Sequence, residues 1–245
     1  MEIVKNASLG PVRVDGLDSN WPTQVDPLQD GISSVELIRV SGSDIDIVNA
    51  ARVSFGKITT KIEPKDDKLI RYLLRHLHTS PFEHNQLSFR IKTPLFVARQ
   101  WMRHRMNSYN EISYRYVKSK LEFYIPADWR YQDQDNRQAS FGKFQDEELL
   151  NKYQVALQQA SQAYNDLLEA GVCREQARGL LPLCTYTEFI FTCNLHSFMH
   201  FIKLRTAAGA QWEIQVFAQA MLDLARPYFP VALDEWQKIC SEQGL

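Results

Sequence analysis

Glycine is scarce in this chain: ten in 245 residues, spread thinly. There is no GxGxxG fingerprint and no GxxxxGK(S/T) loop, so neither of the common glycine-rich phosphate turns is available to hold a nucleotide. A GxSxG nucleophile elbow is also missing. Any dinucleotide would have to be held by arginines, histidines and backbone groups gathered from separate elements, or from separate subunits. The four cysteines, Cys173, Cys184, Cys193 and Cys240, form no CxxC pair. Two disulfides are possible by count, but a chain of this size needs none to build a core. Reduced, mostly buried thiols in a cytoplasmic protein are expected. No apolar run approaches the roughly 20 residues that span a bilayer, and the start, MEIVKNASLG, has no signal-peptide pattern. A formal net charge of −1 and a pI near 6.6 argue against a general nucleic-acid coat protein.

What the chain does have is a core and a local concentration of positive charge. Hydrophobic residues make up 44% of it, enough for one domain with a sizeable interior. Residues 1–34 mix Gly, Pro, Asp and Ser around Trp21 with little periodicity, which predicts an irregular arm before a domain over 35–245. SVELIRV (34–40) predicts a strand, and 44–55 a helix with Ile47, Ala50, Ala51 and Ser54 on one side. Over 66–79, Leu69, Ile70, Leu73, Leu74 and Leu77 recur at three and four, an amphipathic helix. QLSFRIK (86–92) alternates as a half-exposed strand. Thr93 is placed to cap a helix that opens with Pro94 and ends in the basic cluster RHR.

LEFYI (121–125) predicts a further strand, and the polar, glutamine-rich 131–145 an exposed loop. A long helix is expected from 146, closed by Gly171, followed by a short helix at REQARGLL. An extended TYTEFIFTC and helices at 197–207 and 211–226 complete the pattern. The sum is an α+β domain with a mixed or antiparallel sheet and several helices.

The positive charge is concentrated in RHRMNSYNEISYR, residues 103–115. Arg103 and Arg105 stand two apart at a helix end, and Arg115 follows ten residues later with Ser113 beside it. Guanidinium groups match phosphate oxygens in pairs, so this set suits a small phosphorylated ligand. A solvated basic helix end, drawn to the helix dipole, would explain RHR alone. It leaves SYNEIS as an unexplained surface turn. Salt-dependent binding to long DNA or RNA through the basic and aromatic residues of 99–116 is a third reading. The six histidines all lie in polar clusters, and His196 and His200 are spaced i, i+4 as a chelating pair would be. No HExxH pattern accompanies them, so hydrogen bonding to a cofactor is favoured over a metal.

RHR followed by seven residues and Ser113 resembles the signature of the flavin-dependent thymidylate synthases. AARVSF (50–55), HTSPFEH (78–84), FVARQWMRHR (96–105), EFYIP (122–126), ARGLLP (177–182) and RTAAGAQWEIQ (205–215) resemble the other blocks of that family, in the family's order. The resemblance spans roughly 35–230. It implies a homotetramer of α+β subunits with active sites at subunit junctions. It also implies methylation of dUMP to dTMP, with methylenetetrahydrofolate as carbon donor, FAD as hydride carrier and NADPH as reductant.

The resemblance assigns residues by position. Gln100, Arg103, Glu111, Ile112, Ser113, Tyr114, Arg115, Arg178 and Arg205 would contact dUMP, with Arg205 at the uracil ring as the catalytic residue. Ser54, His78, Ser80, Glu83, Arg103, His104, Arg105, Glu111, Asn194, His196 and His200 would contact FAD. No metal, nucleic acid or membrane is implied. None of the four cysteines has the Pro-Cys-His setting of the folate-only thymidylate synthases, and a flavin hydride makes an enzyme nucleophile unnecessary. Three features depart from the family pattern: the 1–34 extension, His196 and His200 in place of the frequent Arg and Asn, and the variable loop 131–145.

Overall fold

A computed structural model describes residues 23–117 and 120–242. The chain runs β1 (Gln24–Val25), β2 (Ser34–Ser41), α1 (Asp44–Arg52), α2 (Pro64–Arg75), α3 (Ser80–Glu83), β3 (Gln86–Pro94), α4 (Leu95–Trp101), β4 (Asn107–Glu111), β5 (Trp129–Gln132), β6 (Ser140–Phe144), α5 (Glu147–Glu169), α6 (Arg174–Ala177), β7 (Tyr186–Asn194), α7 (Leu195–Thr206), α8 (Trp212–Ala225) and α9 (Pro230–Glu242). Five strands form one antiparallel sheet in the order β1-β2-β3-β7-β4. The α+β expectation holds, and the sheet is antiparallel throughout.

Alternation along the strands sorts the two faces of this sheet. Val35, Leu37, Leu87, Phe89, Ile91, Phe189 and Phe191 turn to one side and are buried with Trp101, Phe198, Phe201 and Phe217 from the helices. Trp101 lies 4.8 Å from Phe201 and 5.5 Å from Phe189, ring centre to ring centre. The other face is polar, with Arg90 between Glu36 (3.6 Å) and Glu188 (3.7 Å) and Lys92 paired to Glu122 (2.6 Å). An antiparallel sheet with one packed face is stable in this arrangement.

Three expectations are corrected. LEFYI is not a strand: Phe123 makes a single bridge to Thr185. The segment takes over the β7 side where β4 leaves it, through Tyr124 N to Cys184 O and Tyr186 N to Glu122 O. Residues 131–145 are not a loop but contain most of the β5–β6 hairpin. Tyr131 stacks on Phe141 (5.6 Å) and Phe144 (4.4 Å), so three aromatics hold a segment whose polar composition suggested none. The helix after β3 begins one residue later than expected: Pro94 is its cap and Thr93 is still in the strand.

Residues 1–22 of the expected arm lie outside the described residues. Its remainder pairs β1 onto β2 and places Leu28 against the main core. The four cysteines are free, Cys184 and Cys193 buried and Cys173 exposed.

Candidate functional site

The basic cluster sits where α4 stops and β4 begins. Helix α4 is anchored by Trp101, fully buried, and the chain reverses through Arg103, His104 and Arg105 before entering β4. Tyr109 fixes that reversal, its hydroxyl donating to the carbonyls of Trp101 (3.0 Å) and His104 (2.9 Å). His104 is thereby turned inward, its ring 4.9 Å from Phe201 and 6.0 Å from His200. Arg103 and Arg105 are left exposed, and no described residue pairs with either.

Arg205 reaches this corner from the last turn of α7. Its Nε donates to His104 Nε2 (3.0 Å) and its terminal nitrogen to the Gln100 carbonyl (3.1 Å). The first bond requires a neutral imidazole with a free lone pair. Burial, with the charges of Arg205 and His200, pushes the His104 pKa down to about 4. The guanidinium is therefore held by two acceptors that leave its charge uncompensated, and its pKa shift, downward through burial, leaves it protonated.

A cleft of about 480 Å³ opens over this corner, lined by Arg103, His104, Arg105, His196, His200 and Arg205 among others. A neighbouring apolar hollow of about 220 Å³ shares His196 and His200 and adds His78. Of the expected flavin residues, the RHR triplet, His78, His196 and His200 are thus brought together. Ser54, Ser80 and Glu83 are exposed and line neither hollow. Asn194 uses its side-chain oxygen to cap α7, accepting from Ser197 N (2.8 Å). Among the described residues, no three His, Cys, Asp or Glu side chains converge as a metal would require.

The second set lies at the other end of β4. Thr187 donates to Glu111 (2.6 Å), and Ile112 N donates to the Glu188 carbonyl (2.8 Å). Tyr114 donates to the Tyr186 carbonyl (2.6 Å). Ser113 then turns the chain, its hydroxyl accepting from Arg115 N (3.3 Å) and its carbonyl from Tyr116 N (2.9 Å). Arg115 approaches Glu175 (3.5 Å), one turn before the exposed Arg178, which pairs with no described residue. Gln100, by contrast, stays at the first end, donating to Gln211 (2.6 Å).

Sequence reading missed Gln211 and Glu213. Glu213 is 3% exposed and accepts from Arg130, Tyr124 and Gln211. The signal was available: 213 falls four before Phe217 and eight before Met221, on the buried stripe of α8. A carboxylate on such a stripe needs a purpose-built set of donors.

The sequence pattern of the family described as "Thymidylate synthase complementing protein" matches residues 36–231. The chain belongs to this family. A flavin-dependent thymidylate synthase of Thermus thermophilus is 50% identical over 198 residues, 81% of this chain and 73% of the relative. One from Thermotoga neapolitana is 46% identical over 196 residues, covering 80% and 87%. Among solved structures, a UMP/dUMP methylase, PolB from Streptomyces cacaoi bound with 5-Br UMP, is similar with a TM-score of 0.76 and 34% identity, covering 83% of this chain and 93% of that one. Family membership makes the chain a flavin-dependent enzyme of the methyltransferase class.

Proposed function

We propose that this enzyme methylates dUMP to dTMP at sites shared between subunits of a homotetramer in the cytoplasm, with no nucleic-acid or membrane partner. The observation that carries the reading is the fixed guanidinium of Arg205, held by two uncharged acceptors, beside two arginines that no described residue pairs. The named activities of the relatives and of the solved methylase support the same substrate.

The donor set fits FAD. Arg103 and Arg105 rim the cleft with their charges free, as a diphosphate would need, and His78, His196 and His200 add ring surfaces and donors beside an apolar hollow. When bound, the flavin supplies the hydride chemistry, with NADPH as reductant and methylenetetrahydrofolate as carbon donor. Arg205 holds a positive charge where negative charge develops on the pyrimidine as it is activated. His104, neutral, fixes that charge in direction without cancelling it. Ser113, Arg115 and Arg178 hold the nucleotide phosphate, with the backbone after Glu111 turned toward it, while Gln100 and Arg103 meet dUMP from the other set.

The separation of these sets supports a shared site. Asn107 to Ser113 is six residue steps of largely extended chain, about 20 Å at strand rise, which is longer than one nucleoside monophosphate. A second copy that brings its Arg205 end to the Ser113 end of the first would complete each site.

Arg205→Ala tests the reading. The variant should fold and keep its flavin, and dTMP turnover should fall about a hundredfold or more, the scale for losing one preorganised donor. Near-normal dTMP formation by the folded variant would remove Arg205 from the chemistry.

A further inference from the structure

A row of side-chain hydrogen bonds runs from Gln100 to a buried carboxylate at the start of α8. Gln100 Nε2 donates to Gln211 Oε1 (2.6 Å), and Gln211 Nε2 donates to Glu213 Oε2 (2.9 Å). A terminal nitrogen of Arg130 donates to both Glu213 oxygens (2.8 Å each), and the Tyr124 hydroxyl to Oε1 (3.1 Å). Arg130 is held from its other side by the Trp212 ring, 5.5 Å from its centre. Burial and the neighbouring Glu213 raise the Tyr124 pKa, so the phenol remains a donor.

The carboxylate gives the row a direction. Two amides by themselves could pair either way round, since each carries an acceptor oxygen and a donor nitrogen. A carboxylate clamped at both oxygens by a guanidinium only accepts. Gln211 must then turn its nitrogen toward Glu213, which leaves its oxygen for Gln100. Gln100 in turn commits its nitrogen inward. Its carbonyl oxygen is the group left to face outward.

We propose that Glu213, acting through Gln211, is a positioning residue that presents the side-chain carbonyl of Gln100 to dUMP as an acceptor. The substrate group that meets it is a donor: the N3–H of a neutral uracil ring or a ribose hydroxyl. This rests on Gln100 being a dUMP contact, as proposed above. The backbone carbonyl of Gln100 also accepts from Arg205 (3.1 Å), so one residue ties the relay to the guanidinium assigned to the ring. Without the relay the Gln100 amide is free to turn, and its oxygen is no longer held toward the substrate's donor.

The test measures dUMP affinity by calorimetry on flavin-loaded protein for wild type, Gln100→Ala, Gln211→Leu and the double variant. Gln211→Leu breaks the relay and leaves Glu213 its Arg130 and Tyr124 partners, so folding is not at stake as it is in a companion Glu213→Gln. Gln211→Leu should weaken dUMP about three- to tenfold, the range of one neutral hydrogen bond, with flavin content unchanged. In the Gln100→Ala background the same change should add nothing, because the relay then has no end to orient. If the two losses multiply instead, Gln211 acts on the fold and not through Gln100, and the proposal is overturned. It is overturned too if Gln211→Leu binds dUMP like wild type while Gln100→Ala does not, a result that leaves the Gln100 contact standing. Wild-type binding by Gln100→Ala alone would remove that contact and the relay with it. Comparison with dCMP, whose N3 is an acceptor, locates the donor: a narrowed preference for dUMP in Gln211→Leu assigns it to N3–H, and an unchanged preference with the same loss assigns it to the ribose. Either supports the relay.

Discussion

His104 shows how one residue's environment decides what a motif can do. A histidine between two arginines reads as a third cation, yet its ring is turned into the core and accepts from Arg205. Its pKa of about 4 keeps it neutral across the working range. The anchor on Arg205 should therefore survive acidification well below the ordinary imidazole value of about 6.5. A kcat–pH profile should show no loss assignable to His104 above about pH 5, and His104→Gln, which keeps an acceptor, should retain more activity than His104→Ala. A wild-type acid limb near pH 6.5 that vanished in His104→Gln would contradict this. RHR itself was plain in the sequence; the inward turn of its histidine was not, because it depends on the Tyr109 hydroxyl bridging two carbonyls. Burial also raises the thiols of Cys184 and Cys193 above their ordinary pKa, which disfavours either as a nucleophile.

At the scale of elements, helices with clean periodicity, such as α5 and the body of α2, were legible because their patterns are local. The end of α2 was not: the helix stops at Arg75, and Leu77, expected on its apolar stripe, is exposed with a left-handed backbone. Strand β4 was not. Asn107–Glu111 carries no apolar alternation and is a strand only because β7 offers it an edge. The β5–β6 hairpin was hidden for the same kind of reason, its aromatics being spaced across a turn. Helix α9, unassigned by the sequence pattern, is tied down by a residue far away in the chain: Asp44 accepts from Val231 N (2.8 Å) and Ala232 N (3.0 Å).

That cap carries a pH signature. Burial, with lesser repulsion from Asp67 and Asp234, raises Asp44 from 3.8 to about 6. The folded state then holds this proton more tightly than the unfolded chain, so the group's contribution to stability falls as pH rises from about 4 to 6. His104, lowered from 6.5 to about 4, acts in the opposite sense, and its contribution rises over the same window. In Asp44→Asn only the rising contribution remains of the two. Its Tm should climb more steeply between pH 4 and 6 than that of wild type, by thermal unfolding at several pH values. Equal slopes would mean that folding does not raise the Asp44 pKa.

For the whole molecule, sites shared between subunits mean that no single subunit completes one. Arg103→Ala removes a charge at one end of β4 and Arg115→Ala at the other, so each variant alone should lose dTMP formation. Co-assembled, they should regain it, because about one site in four would combine two intact halves by random assortment in a symmetric oligomer. Mixtures as inactive as their parents, from samples shown to be co-assembled, would place both arginines in one subunit's site.

Product analysis reads the methylation of dUMP itself. Purified protein, loaded with FAD and given dUMP, NADPH and isotopically labelled methylenetetrahydrofolate, should form dTMP carrying the labelled carbon, and omission of dUMP, the folate or the reductant should abolish it. Sustained NADPH oxidation with dUMP left unmethylated would contradict the account.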